Sequence, residues 1–226
     1  MTQQTISETL FESYCQKHAI CHSRIPTESD KRTPDYEIIL KENLVISEVK
    51  QFDPTQEEVH LQKQLEEHGS TEVFGGKPGQ RASQKIIDGT KQLRLLAKDK
   101  YPTLLILYNN VPITNRHVDP YAIKTAMYGL EEVVFAVPEE TSVAPWVSDR
   151  RFGGRRRVTP SHNTTLSAVA VLYVNHNVGT PYLHIFHNIY AALPVNPEWL
   201  RNPETQHFKL EAKERDKKQF QEWIKV

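Results

Sequence analysis

Residues 103–108, Thr103-Leu104-Leu105-Ile106-Leu107-Tyr108, form an unbroken apolar run that stops at Asn109, Asn110 and Pro112. A strand that is apolar at every position has both faces covered, which marks a central strand of a sheet with helices on each side. Just before it, Arg81 to Lys98 carries Ala82, Ile86, Ile87, Leu93, Leu96 and Ala97 at helical spacing. A helix leading into a buried strand makes a crossover, so the strand gains a parallel neighbour and the fold class is α/β. At 226 residues, with 38% hydrophobic and 25% charged residues, the chain can bury a substantial core as a single domain.

The parallel neighbour is supplied upstream. Pro34 to Leu40 and Leu44 to Phe52 are two β-rich runs separated by a few turn residues, which reads as a hairpin. A two-residue turn at Glu42-Asn43 sets Lys41 against Leu44, Glu37 against Glu48 and Asp35 against Lys50. With side chains alternating along a strand, Asp35, Glu48 and Lys50 share one face, and the Asp35 and Glu48 carboxylates lie diagonally, about 7–8 Å between backbones. Magnesium prefers hard oxygen ligands and is commonly held by one or two carboxylates plus substrate phosphate. Two carboxylates beside an ammonium therefore suggest metal-assisted phosphoryl chemistry, with Lys50 placed to orient water or steady a developing charge.

The pattern Pro34-Asp35, twelve residues, then Glu48-Val49-Lys50 within an apolar run resembles the PD-(D/E)xK nucleases. The resemblance implies a restriction-endonuclease-like core, a mixed central sheet flanked by helices, spanning roughly residues 5 to 108. It implies phosphodiester hydrolysis with Mg2+ or Mn2+, with Asp35, Glu48 and the Val49 carbonyl as ligands and Lys50 serving the water. Glu12, on the first helix, matches the glutamate that often completes such a site. The family's helix after the E-x-K strand often lends a polar or basic group. Arg81, Lys85, Asp88 and Gln92 form a stripe on that helix, and Lys85, then Arg81 and Gln92, are the expected phosphate contacts. A solvated amphipathic flank is the alternative for this stripe, as an ordinary hairpin with charged residues in solvent is for the motif.

The other elements complete the expectation. Thr5 to His18 reads as a helix opened by the capping-box spacing Thr5-Ile6-Ser7-Glu8, with Ile6, Leu10, Phe11, Tyr14 and Cys15 at helical intervals. On that wheel Glu12 lies well off the apolar stripe, while Glu8 is nearer its edge. Residues 22 to 33 read as a polar connector, with Arg24 and Arg32 on the surface. Residues 53 to 80 read as a short helix followed by a mobile glycine loop. Pro120 to Tyr128 is a short helix and Glu132 to Val137 a strand. Leu166 to Val174 and Tyr182 to Ile189 form a second hairpin, in which alternation puts His184 and His187 on opposite faces, counting against a shared metal with His176. Phe208 to Ile224 reads as a charged C-terminal helix whose Phe220, Trp223 and Ile224 dock on the domain or make a homodimer contact. The core thus covers about 5–137, with an additional C-terminal hairpin and helix over 160–226.

Formal net charge is zero, which argues against coating nucleic acid by bulk charge, so any nucleic-acid surface is local. Arg150-Arg151-Phe152-Gly153-Gly154-Arg155-Arg156-Arg157 is the most basic stretch. Its glycines suggest flexibility, and Arg151, Arg155 and Arg156 are expected to meet phosphates while Phe152 stacks on a base. Cys15 and Cys21, the only cysteines, show no zinc or disulfide spacing and read as reduced thiols. With no signal pattern or membrane-length apolar run, a cytoplasmic setting is expected. The leading function is a metal-dependent nuclease, DNA favoured over RNA; the alternatives are a non-catalytic nucleic-acid-binding subunit of the same fold and an interaction module without metal chemistry.

Overall fold

The computed structural model describes residues 4–26, 33–72, 76–98, 100–139, 142–175, 177–211 and 222–226. Its helices are α1 (Ile6–Lys17), α2 (Gln56–His68), α3 (Gln80–Ala97) and α4 (Pro120–Tyr128). The strands are β1 (Cys21–Arg24), β2 (Tyr36–Leu40), β3 (Asn43–Phe52), β4 (Thr103–Asn109), β5 (Glu131–Ala136), β6 (Trp146–Phe152), β7 (Ala168–Asn175), β8 (Thr180–His187), β9 (Thr205–Leu210) and β10 (Trp223–Lys225). Eight strands form one mixed sheet in the order β1-β2-β3-β4-β7-β8-β9-β10, and β5 and β6 pair separately. The fold is α/β with helices on both faces, as the apolar run at 103–108 requires.

The central strands are parallel where crossovers join them. β3 runs parallel to β4, and β4 to β7, while β2–β3 and β7–β8 are antiparallel hairpins. Leu104 to Leu107 are completely buried, their side chains alternating between two cores. Leu105 and Leu107 pack with Ile86, Leu93 and Ala97 of α3 and Ile123 and Met127 of α4. Leu104 and Ile106 pack with Phe11, Tyr14 and Cys15 of α1. Each such side chain contributes about 1.5–3 kcal/mol relative to exposure, so this strand anchors both layers. Gly89 lets α3 lie close on the sheet, since a Cβ there would meet the Leu105 side chain.

Local chemistry sets the element ends. Thr5 and Glu8 close a reciprocal capping box on α1, and Thr55 and Glu58 do the same on α2. The hairpin turn is Lys41-Glu42, not Glu42-Asn43: both residues have positive φ (44° and 71°), the primed turn that matches strand twist. Asn43 instead starts β3 and uses its amide to hold the Leu40 and Lys41 carbonyls at 3.2 and 2.8 Å. The pairing Leu40 with Asn43 through Tyr36 with Ser47 is thus displaced by two from the expected register. A displacement of two preserves the side-chain faces.

Three further expectations are corrected. Cys21–Arg24 is an edge strand on β2 rather than part of a polar connector. Trp146–Phe152 is the β6 strand, so Arg150 and Arg151 lie in regular structure, not in a flexible loop. Residues 205–210 are a strand parallel to β8, and Trp223–Lys225 returns antiparallel to it, so the expected C-terminal helix is absent from both ends of its span; residues 212–221, including Phe220, lie outside the described residues, as does His176. A charged stretch lacking helical periodicity becomes a strand when a neighbouring edge supplies its hydrogen bonds. Trp223 packs on Phe186 and Tyr128 and donates to the Pro120 carbonyl at 2.8 Å, docking the tail on the domain.

Between β8 and β9 the rings of His187 and His207 are buried and joined Nε2 to Nδ1 at 2.9 Å. Burial holds His187 neutral, its pKa pushed down from 6.5 to about 3, with the neighbouring His207 and Lys209 adding to the effect. The unfolded chain takes up this proton near 6.5, whereas the fold refuses it, so stability is full above that pH and falls below it. Unfolding free energies from urea titrations at pH 7 to pH 4 should decline by up to about 1.4 kcal/mol per pH unit from this group, and less steeply in His187→Gln. Parallel profiles would contradict the assignment.

Candidate metal centre on the second hairpin strand

β2 ends at Tyr36, and the chain before it peels away from β3. Asp35 N–H still reaches the Ser47 carbonyl at 3.2 Å, and continuing the register sets Asp35 opposite Glu48 and Pro34 opposite Val49. Proline has no N–H, so the ladder cannot continue by a bond from Pro34 to the Val49 carbonyl. The Asp35 carboxylate takes over, accepting the Val49 N–H at 2.8 Å. Because N–H and C=O of one strand residue point the same way, the Val49 carbonyl faces the same side as Asp35. The two carboxylates are thereby brought into direct interaction across the open end of the hairpin.

Glu48 is fully buried, and neither of its oxygens accepts a well-directed hydrogen bond among the described residues. Its direct partner is the Lys50 ammonium, in ion-pair contact with Oε1. Burial first, then the Asp35 carboxylate, raises the Glu48 pKa from 4.5 to about 8, against the lowering effect of Lys50. Asp35 is raised as well, chiefly by burial. Asp35 opposes the ionisation of Glu48, whereas a hydrogen bond from Glu48 favours that of Asp35, so the metal-free pair shares a proton that a cation would displace. Hard oxygen donors with incomplete partners fit Mg2+ or Mn2+. Among the described residues no group of three or more His, Cys, Asp or Glu side chains is gathered to hold a metal, so any ion here relies on two carboxylates, backbone and water.

The flanking cations come from α3. Lys85 lies over the Phe52 ring at 5.7 Å; burial lowers its pKa, and the charge of Lys50 lowers it further, so the two ammonium groups share one region. Arg81 also lies over Phe52, at 5.5 Å, but its guanidinium is committed: it meets both oxygens of buried Glu58 at 3.0 and 3.2 Å and the Asp53 carbonyl at 2.7 Å. His117 completes that cluster, 2.6 Å from Glu58 and stacked on Phe52. Gln92 donates to the Thr33 carbonyl at 3.3 Å, tethering the segment that delivers Pro34-Asp35. Of the three expected contacts on α3, Lys85 lies over Phe52 within the field of Lys50, whereas Arg81 and Gln92 are engaged in holding the surrounding structure.

Glu12 is engaged elsewhere. It accepts from Arg24 at 2.7 Å, Tyr36 at 2.9 Å and Gln4 at 2.9 Å, and despite the opposing effect of burial these bonds hold its pKa down. The helix glutamate whose charge is felt by Asp35 is Glu8, one turn earlier. Ser7 N–H bonds to Gln51 at 3.1 Å and pins that turn beside the end of β3. Arg24 contacts Glu8 at 3.4 Å as well, so it bridges the two acids instead of sitting idle on the surface. Nearness of Glu8 to the apolar stripe was the signal in the sequence; the role of Arg24 had none, because β1 was unread.

The arginine run divides. Arg151 pairs with Glu132 at 3.1 Å and Arg150 with Glu131 at 3.7 Å, both across the β5–β6 ladder. Arg156 donates to the Tyr190 hydroxyl at 2.9 Å with its guanidinium 5.8 Å from that ring. Phe152 is buried against Tyr128 and is not available to stack on a base. Arg155 alone of the five makes no hydrogen bond or ion pair among the described residues. No helix among the described residues is long and apolar enough to cross a membrane. No family model, curated protein or solved structure matches the chain.

Proposed function

We propose that this chain is a metal-dependent nuclease that hydrolyses phosphodiester bonds, in DNA by preference, through a PD-(D/E)xK site on a restriction-endonuclease-like core. The observation that carries the reading is the buried Glu48 carboxylate, opposed by Asp35 and ion-paired to Lys50, on the strand edge that Pro34 leaves open. Asp35, Glu48 and the Val49 carbonyl are the groups that would hold Mg2+ or Mn2+. When bound, such an ion lowers the pKa of coordinated water and neutralises charge on a phosphoryl group. The chain's own residues supply the rest. Lys50 presents its ammonium beside Glu48, where it orients a water molecule and balances charge that builds during attack. Lys85, held over Phe52, adds a second positive charge for a substrate phosphate. Glu12 enters this reading only through Arg24 and Tyr36, which it positions.

The test is incubation of plasmid, single-stranded DNA and RNA with the purified chain in Mg2+, Mn2+ or EDTA. Cutting of DNA that requires the metal is the expected result. Absence of cutting on all three substrates, in either metal, removes the enzymatic reading and leaves a binding subunit of the same fold.

A further inference from the structure

Beyond the carboxylate pair, on another side of α3, lies a cavity of about 260 Å³ between the start of that helix, α4 and the turn after β6. Lys77, Arg155 and Arg157 line it together with Gln80, Ser83, Gln84 and Thr125, and among the described residues no carboxylate does. Three cations facing one opening without an acid among them repel one another unless an anion joins them. The side chains of Lys77 and Arg155 make no hydrogen bond or ion pair among the described residues; the Lys77 carbonyl accepts from Gln80 N–H at 3.2 Å. Arg157 is fixed by its Nε, which donates to Ser83 Oγ at 2.6 Å, leaving its terminal amino groups for another partner. Arg155 reaches the rim with φ at 64°, a left-handed conformation that a non-glycine residue rarely adopts.

We infer that this cavity binds a backbone phosphate of the nucleic acid, away from the one that is cut. The inference rests on the proposed nuclease for the carrier of the phosphate and on the cavity for the site itself. Five residues of helix separate Gln80 from Lys85, about 7.5 Å along the axis and about 140° around it, so the cavity serves a phosphate further along the backbone than the one next to the scissile position. Guanidinium groups match phosphate oxygens in pairs, and the ammonium of Lys77 adds a point charge. Arg155 and Arg157 are thus the members of the arginine run that meet nucleic acid, with Lys77 as their partner, whereas Arg151 and Arg156 are held by Glu132 and Tyr190.

The test measures binding of a labelled DNA duplex in EDTA across a range of salt, so that cutting does not enter. Lys77→Glu, Arg155→Glu and the pair are compared with wild type and with Lys41→Glu, which lies at the far end of the hairpin from Asp35; circular dichroism confirms that each is folded. The paired variant is expected to bind at least about 10-fold more weakly and to lose about 1 from the slope of log affinity against log salt, since one neutralised phosphate contributes about 0.9. Lys41→Glu should retain the wild-type slope. An unchanged slope and affinity in the paired variant, or a wild-type chain that binds no duplex, overturns the inference. Binding that weakens as expected in a chain that never cuts overturns the nuclease alone.

Discussion

Glu48→Gln should reduce metal-dependent cutting by about 10³-fold or more while leaving DNA affinity in EDTA within about twofold of wild type. The substitution preserves shape and removes only the negative charge, so it separates a ligand from a packing residue. The same change should raise the stability of the metal-free chain by about 1–2 kcal/mol near pH 8. There the Glu48 carboxyl, its pKa raised to about 8, becomes a buried charge beside the Asp35 carboxyl, balanced among the described residues by Lys50. Lys50 can turn to solvent when its partner becomes an amide, because it is not fully buried. A loss of cutting accompanied by a gain in stability would mark a site that the fold maintains at a cost. Loss of both would indicate that Glu48 is a structural residue. Unchanged cutting would remove it from the chemistry.

The largest effect on folding is expected at Gly79, and Gly69 provides its control. Both glycines have φ of +70°, so alanine at either carries the same backbone penalty of about 1 kcal/mol. Around Gly69, at the end of α2, nothing lies within 4 Å of an added Cβ. At Gly79 that atom would sit 2.5 Å from the Ala122 carbonyl oxygen, 2.8 Å from the Ala126 nitrogen, and against the Thr125 hydroxyl. Two of these are backbone atoms of α4, which cannot rotate aside. Gly79→Ala is therefore expected to destabilise by about 3–4 kcal/mol in urea unfolding, and Gly69→Ala by about 1 kcal/mol. Equal effects would mean that α3 and α4 are not packed as closely as described. Because Lys77 and Gln80 lie beside Gly79, the first variant should also weaken duplex binding through the displaced rim of the cationic cavity.

Elements whose burial follows a period were legible in the sequence, and those that depend on a distant partner were not. Arg81 to Lys98 and 103–108 carried their own pattern, and α3 and β4 lie within one residue of those limits. Cys21-His22-Ser23-Arg24 carries none: it is almost entirely exposed, and it is a strand because β2 offers an edge at Tyr36 to Ile39. Thr205 to Leu210 is similar, since its partner β8 is recognised only after the sheet order is known. The candidate site followed the same division. Asp35, Glu48 and Lys50 share a face by strand parity, which survives a shift of two in register, so their grouping could be read without the correct turn. The choice of Glu8 over Glu12 was legible only in part: Glu8 lies nearer the apolar stripe, but Arg24 and Tyr36, which claim Glu12, come from strands β1 and β2. Arg81 looked like a phosphate contact for a related reason: its spacing from Lys85 is plain in the sequence, whereas Glu58 and His117, which occupy it, are brought in by tertiary structure.

The central claim is that Asp35 and Glu48 together form a divalent-cation site. It is tested most directly by titrating Mn2+ and following the free ion by electron paramagnetic resonance in the wild type, Asp35→Asn and Glu48→Gln. One Mn2+ site in the wild type, displaced by excess Mg2+ and lost in both variants, is the predicted result. Mn2+ affinity that is the same in all three chains would contradict the claim and with it the nuclease.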